Sequence, residues 1–185
     1  VSARGDDAPP QVGGSLFRRT LEAYVGTTMR PGHEIEVVSC GDQTYPRLWA
    51  DIRSARRFVA VQMYYASAGR VADELRDALI DRARAGLDVL LLLDAFGSSL
   101  GGGWIESLRE AGVEVAKFRA LRPHLLHRII HRAHVRAIVI DGEIGYTGGF
   151  GIDDQWLGDG RHKLAVTAVV AFMVKRSEVP AEDLD

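Results

Sequence analysis

The stretch RFVAVQMYYASAGRVADELRDALIDRARAGLDVLLLLDA, residues 57–95, changes hydrophobic rhythm twice. Arg57–Tyr64 is β-branched and aromatic, which predicts a strand. Val71, Leu75, Ala78, Leu79 and Ala83 then recur at helical spacing and define one face of a helix that stops at Gly86. Asp88–Ala95 encloses a continuous apolar run, the pattern of a strand covered on both faces. Strand, helix and strand in that order predict an α/β domain with a largely parallel sheet flanked by helices.

The same rhythm extends outward on both sides. Before this unit, Tyr45–Ala55 carries Leu48, Ile52 and Ala55 at helical spacing, with Pro46 tolerated in the first turn. Glu34–Val38 alternates as a short strand. Leu16–Tyr24 predicts a short amphipathic helix, which packs against protein more often than it lies on a membrane surface. Residues 1–14 are polar and rich in Gly and Pro, a disordered lead-in. After the unit, Trp104–Ala111 predicts a helix with Ile105 and Leu108 inward and Gly112 as its stop. Val113–Phe118 and Ala137–Ile140 predict further strands.

A chain of 185 residues with 46% hydrophobic and 26% charged residues is ordinary for one well-buried domain or a domain with an arm. The net charge of -2 provides no overall positive field for nucleic acid. A single cysteine, Cys40, excludes an internal disulfide and fits a reducing compartment. The longest apolar runs, Leu87–Phe96 and Leu164–Val174, are too short to span a bilayer, and the N-terminus lacks the pattern of a signal peptide. The first residue is Val rather than Met, so a piece of a longer protein or a non-standard start is expected.

Charge is unevenly distributed. Arg119, Arg122, Arg128, Arg132 and Arg136 stand with His124, His127, His131 and His134 in a stretch free of Asp and Glu. So one-sided a run favours an anionic ligand over a solvated face, because arginine suits bidentate phosphate recognition. The histidines fall three, four and three apart, but their cationic neighbours and the lack of an interleaved Glu or Cys oppose a metal site.

The basic stretch leads into HVRAIVIDGEIGYTGGFGIDD, residues 134–154. On an extended segment His134 and Arg136 share one face, and Ala137–Ile140 holds that segment in the sheet. Asp141 closes the strand, Gly142 permits a tight turn, and Gly148 and Gly149 let main-chain N–H groups approach a phosphate. A nucleophilic imidazole, a cation and exposed N–H groups are what displacement at phosphorus requires. An ordinary hairpin with Asp-Gly and Gly-Gly turns accounts for the glycines but leaves His134 and Arg136 unexplained.

This stretch resembles the phospholipase D superfamily motif, in which His-x-Lys is followed by four residues, Asp, six residues and paired small residues. His134, Asp141, Gly148 and Gly149 match it in type and spacing. YPRLWADIRSARRFVAVQMYY, DVLLLLDAFGS and IVIDGEIGYTGGFGIDDQW are similar, in that order, to the N-terminal half of bacterial cardiolipin synthase-like phosphatidyltransferases. The resemblance covers about residues 34–160. It implies one motif-bearing half-domain over 34–160, after an N-terminal arm at 1–33 and before a divergent or truncated tail at 161–185.

The resemblance also implies roles. His134 is the nucleophile that becomes a phosphohistidine, Arg136 holds the non-bridging oxygens, and Asp141 shapes local electrostatics. Gly148, Gly149, Asp154 and Arg132 bind substrate, and Asp154 could also orient a histidine. The implied activity is phosphatidyl transfer or phosphodiester hydrolysis on a phospholipid or other phosphodiester, without a metal or cofactor. A second motif is needed, from a twofold-related copy or a missing C-terminal half. A single-motif homodimeric nuclease and an inactive phosphate-binding fragment are the alternatives; the charge of -2 weighs against nucleic acid. The implied location is the cytoplasm or the inner membrane face, with membrane contact made through the substrate. Three departures stand out: Arg136 replaces Lys, Gly151 stands where the family often has Asn, and one motif is present.

Overall fold

A computed structural model describes residues 12, 14–30, 32–118, 134–159 and 171–176. The chain divides into two compact units, one of Val1–His33 with Glu178–Asp185 and one of Glu34–Ser177. In the first, helix α1, Ser15–Val25, ends at Gly26 in the left-handed conformation. None of its residues is buried. Glu22 accepts from Arg18 at 3.0 Å and from the Met29 amide at 2.8 Å, folding the chain after α1 back along it.

The larger unit runs β1 (His33–Val38), α2 (Gly41–Ser54), β2 (Phe58–Met63), β3 (Ala66–Ser67), α3 (Arg70–Arg84), β4 (Asp88–Asp94) and β5 (Ser98–Ser99). It continues with α4 (Gly102–Glu110), β6 (Glu114–Phe118), β7 (Ala137–Ile140), β8 (Ile144–Gly148) and β9 (Ala171–Arg176). Seven strands form one mixed sheet in the order β1-β9-β8-β7-β2-β4-β6. β2, β4 and β6 are parallel, while β7, β8 and β9 add antiparallel steps beside β2. The mixed α/β class is therefore the one expected, with β2, β4 and β6 paired in parallel among the pairings described. β9 lies in the stretch read as a tail: Met173 pairs with Tyr146 and is buried, so the sheet extends past residue 160.

Registered pairing puts one apolar set on one face. Val59, Val61 and Met63 align with Val89, Leu91 and Leu93, and Val61 faces Ile138, which faces Tyr146. These residues are buried in one core with Leu48 and Ile52 of α2, Leu75 and Leu79 of α3, and Leu108 of α4. On the other face Leu90 is 41% and Val139 36% exposed. β4 thus alternates and is not covered on both faces as expected, because the helices packing with this core lie on the other side.

Two boundaries also move for tertiary reasons. α2 begins at Gly41, four residues before the expected start, so Pro46 lies inside it. Asp42 exchanges hydrogen bonds with Gly158 through its amide (3.2 Å) and its carboxylate (2.9 Å), which fastens the added turn. A Cβ on Gly41 would lie 1.8 Å from the Trp156 carbonyl oxygen, so only glycine allows that approach. The tight turn expected at Gly142 is present: Asp141 (φ 56) and Gly142 (φ 74) form it, and it joins β7 to β8, a strand for which the periodicity gives no sign, in a hairpin. Positive φ at both central residues, with the Glu143 amide donating to the Ile140 carbonyl at 3.0 Å, is the pattern of a type I′ turn.

Asp141 locks this hairpin to the parallel strands. Its carboxylate accepts the amides of Arg56, Arg57 and Phe58 at 2.9, 2.8 and 3.0 Å, at the start of β2. Burial opposes its ionisation, but those three amides and the Arg57 charge prevail and hold its pKa below the usual aspartate value. Asn tolerates the left-handed backbone that Asp141 adopts, so Asp141→Asn removes the charge without adding strain. It is expected to cost about 1–2 kcal/mol near neutral pH, measured by urea unfolding. A lowered folded pKa means this stabilisation is full above the usual aspartate range and disappears as pH falls through the folded value. The gap between parent and variant must therefore close on acidification below about pH 4; a gap independent of pH would refute the assignment.

Candidate active site

β7 runs antiparallel to β2, with Ala137 opposite Gln62. The residues just before β7 therefore lie where the parallel strands end. Val135, between His134 and Arg136, lines a small cavity with Gln62 and Met63 of β2, Leu92 and Asp94 of β4, and Phe118 of β6. His134 and Arg136 thus stand at the carboxyl edge of the parallel strands, the edge at which open α/β sheets bind ligands.

The β7–β8 hairpin brings the glycines to the same edge. Ala137 pairs with Thr147, and the Thr147 hydroxyl donates to the Arg136 carbonyl at 2.9 Å. Gly148 and Gly149 follow directly. A Cβ on Gly149 would meet nothing within 4 Å, so its backbone faces open space. A cation, an imidazole and accessible main chain are consequently gathered by one strand pair.

His134 is exposed, and its ring lies on Tyr64 with centroids 4.1 Å apart and a 34° tilt. Arg136 is half-buried, and its Nε has no hydrogen-bond partner among the described residues. Asp94, 3% exposed, accepts the amides of Phe96 and Gly97 at 2.9 and 3.1 Å, shaping the turn after β4. Sequence reasoning did not single out Tyr64, Asp94 or Gly97. The available signals were an aromatic pair closing one parallel strand and an Asp-x-x-Gly closing the next.

The two other acids are placed differently from expectation. Asp141 sits at the opposite end of β7, roughly 23 Å of extended chain from His134 at about 3.3 Å per residue. Its carboxylate is engaged by the amides described above, so it fixes the entry to β2 and does not reach the edge where His134 stands. Asp154, expected to orient a histidine, instead accepts the Arg70 and Val71 amides at 3.0 and 2.9 Å, capping the start of α3. The first amides of a helix lack intrahelical partners and carry partial positive charge, which is why a carboxylate settles there. Arg132, the other basic residues from 119 to 128, and His124, His127 and His131 lie outside the described residues.

The loop after the glycines is bolted to the core. The Tyr45 hydroxyl donates to the Gly151 carbonyl at 2.9 Å, and the Ile152 amide donates to the Tyr65 carbonyl at 2.9 Å. Burial, followed by the charges of Asp153 and Asp154, pushes the Tyr45 pKa up, so it remains a donor. A Cβ at Gly151 would stand 2.7 Å from the Trp156 ring, which is 7% exposed. The indole occupies the room that an asparagine side chain would need.

The family model described as cardiolipin synthase, PLD-like domain, matches residues 48–170. The chain is 35% identical over 128 residues to the cardiolipin synthase of Geobacillus kaustophilus, covering 68% of this chain and 26% of that protein. Against the major cardiolipin synthase of Bacillus subtilis it is 37% identical over 129 residues, covering 68% and 27%. The chain therefore spans about a quarter of the length of the curated relatives it matches. Among solved structures, the phospholipase D family member Nuc from Salmonella typhimurium shares the fold. Its TM-score is 0.57 at 16% identity over 78% of this chain and 84% of that one. NucT from Helicobacter pylori gives 0.59 at 14% identity over 79% and 87%.

The Trp156 contact generates a prediction about the Gly151 departure. Gly151→Asn is expected to destabilise the fold by about 1–3 kcal/mol in chemical unfolding, since overpacked side chains must shift. Adding Trp156→Leu should recover part of that loss; strictly additive losses would show that the indole is not the obstacle.

Proposed function

The chain belongs to the phospholipase D-like domain family of cardiolipin synthases, and we propose that it carries one half of a phosphatidyltransferase site with His134 as nucleophile. The carrying observation is the gathering of His134, Arg136 and the open main chain of Gly149 at one strand edge. In this reading a His134 ring nitrogen attacks the phosphorus of a phospholipid phosphodiester. A P–N bond forms, and the P–O bond to the leaving alcohol breaks.

The leaving oxygen takes a proton from the histidine of a second motif, contributed by a twofold-related copy or by another part of a longer protein. An acceptor alcohol then gives its proton back to that histidine and attacks phosphorus, and the P–N bond breaks. The Arg136 guanidinium pairs with the non-bridging oxygens, and the amides at Gly148 and Gly149 supply further donors as charge grows on them. Asp141 and Asp154 serve this site at a distance, by holding the strand and the loop in place. Among the described residues no helix is long and apolar enough to cross a membrane.

The test is acid-quench trapping of labelled phosphoenzyme from vesicles of a headgroup-labelled glycerophospholipid, together with the mass of the assembly in solution. His134→Ala should abolish trapping and lower turnover by roughly 10³-fold or more. Arg136→Ala should lower it by about 10²-fold, whereas Arg136→Lys, which restores the family's residue, should stay within about 10-fold. Trapping that survives His134→Ala would overturn the reading. Cleavage of DNA instead, falling steeply with salt, would favour the nuclease alternative.

A further inference from the structure

We propose that Tyr64 is a positioning residue for His134, holding the imidazole by face contact in the orientation that its chemistry requires. The inference rests on the assignment of His134 as nucleophile. His134 precedes β7, is exposed, and has no hydrogen bond to its ring among the described residues. An imidazole in that setting is free to turn about its side-chain torsions, and a nucleophile that turns freely forfeits the advantage of a prepared geometry. What restrains it is the Tyr64 ring, with centroids 4.1 Å apart and planes 34° from parallel.

Tyr64 is itself held in place. It directly follows β2, whose last residue, Met63, is 1% exposed. Gly97 stands against it. A Cβ there would lie 2.1 Å from the Tyr64 carbonyl oxygen and 3.3 Å from Cε2 of its ring, so the Gly97 backbone abuts both. Gly97 is fixed in turn: its amide donates to Asp94 at 3.1 Å, and its carbonyl accepts the Ala66 amide at 3.2 Å. The β3–β5 pairing, Ala66 with Ser98 and Ser67 with Ser99, ties the two loops together just beyond this point. A buried carboxylate shapes a turn, the turn supports an aromatic ring, and the ring supports the imidazole. Stacking needs the ring and not the hydroxyl, so phenylalanine should replace tyrosine while an aliphatic residue should not.

Two readouts test this on the full chain. In NMR spectra the carbon-bound ring protons of His134, assigned by their loss in His134→Ala, should show an upfield ring-current shift. Tyr64→Phe should retain that shift, and Tyr64→Leu should abolish it. In the trapping assay, Tyr64→Leu should slow phosphoenzyme formation by about 10- to 10²-fold with KM little changed. Tyr64→Phe should stay within about 3-fold of the parent. Gly97→Ala should mimic Tyr64→Leu although the tyrosine is still present. An unchanged His134 shift in Tyr64→Leu, or phosphoenzyme formation at the parental rate, would overturn the proposal. If the parent itself forms no phosphoenzyme, the nucleophile assignment fails, whereas the NMR comparison still decides whether Tyr64 holds the ring.

Discussion

The antiparallel docking of β7 against β2, with Val61 opposite Ile138 and Val59 opposite Ile140, is the contact on which the rest of the molecule depends. Side chains alternate along a strand, so a slip of one residue would turn Ile138 and Ile140 out of the core. The same slip would carry His134 and Arg136 away from the ends of β2, β4 and β6. One register thus serves burial at its centre and site assembly at its edge. Asp141 secures it from the far end, where three amides at the start of β2 converge on one carboxylate.

Asp141 and Asp154, the two acids read as site residues, are used as acceptors for main-chain N–H groups. Asp141 serves the entry to β2, and Asp154 serves the first turn of α3. A carboxylate satisfies several such donors at once, which a neutral side chain cannot match. Each therefore fixes a piece of backbone that carries or faces the candidate site. The His134–Arg136 segment is left beside an aromatic ring and open main chain.

The glycine-rich loop shows how packing and chemistry constrain each other. Tyr45, Tyr65 and Asp154 hold residues 151–154 by hydrogen bonds, and Trp156 closes over Gly151. The indole takes the volume that a side chain at 151 would fill. Gly97 plays the comparable part beneath Tyr64, where close backbone approach, rather than a special φ, excludes a larger residue.

Local pattern by itself determined the strand–helix–strand unit from 57 to 95 and the strand at Ala137–Ile140, because periodicity records which face of an element is buried. Motif spacing likewise determined the grouping of His134, Arg136, Gly148 and Gly149, since a short hairpin leaves little freedom in how they meet. Tertiary structure alone decided that β4 has one open face, that α2 begins at Gly41, and that β8 and β9 complete the sheet. It also decided that Asp141 and Asp154 bind backbone, and that Tyr64 reaches His134 across 70 positions of chain. Each of those outcomes depends on partners distant in sequence, and a periodicity is blind to a partner it does not contain.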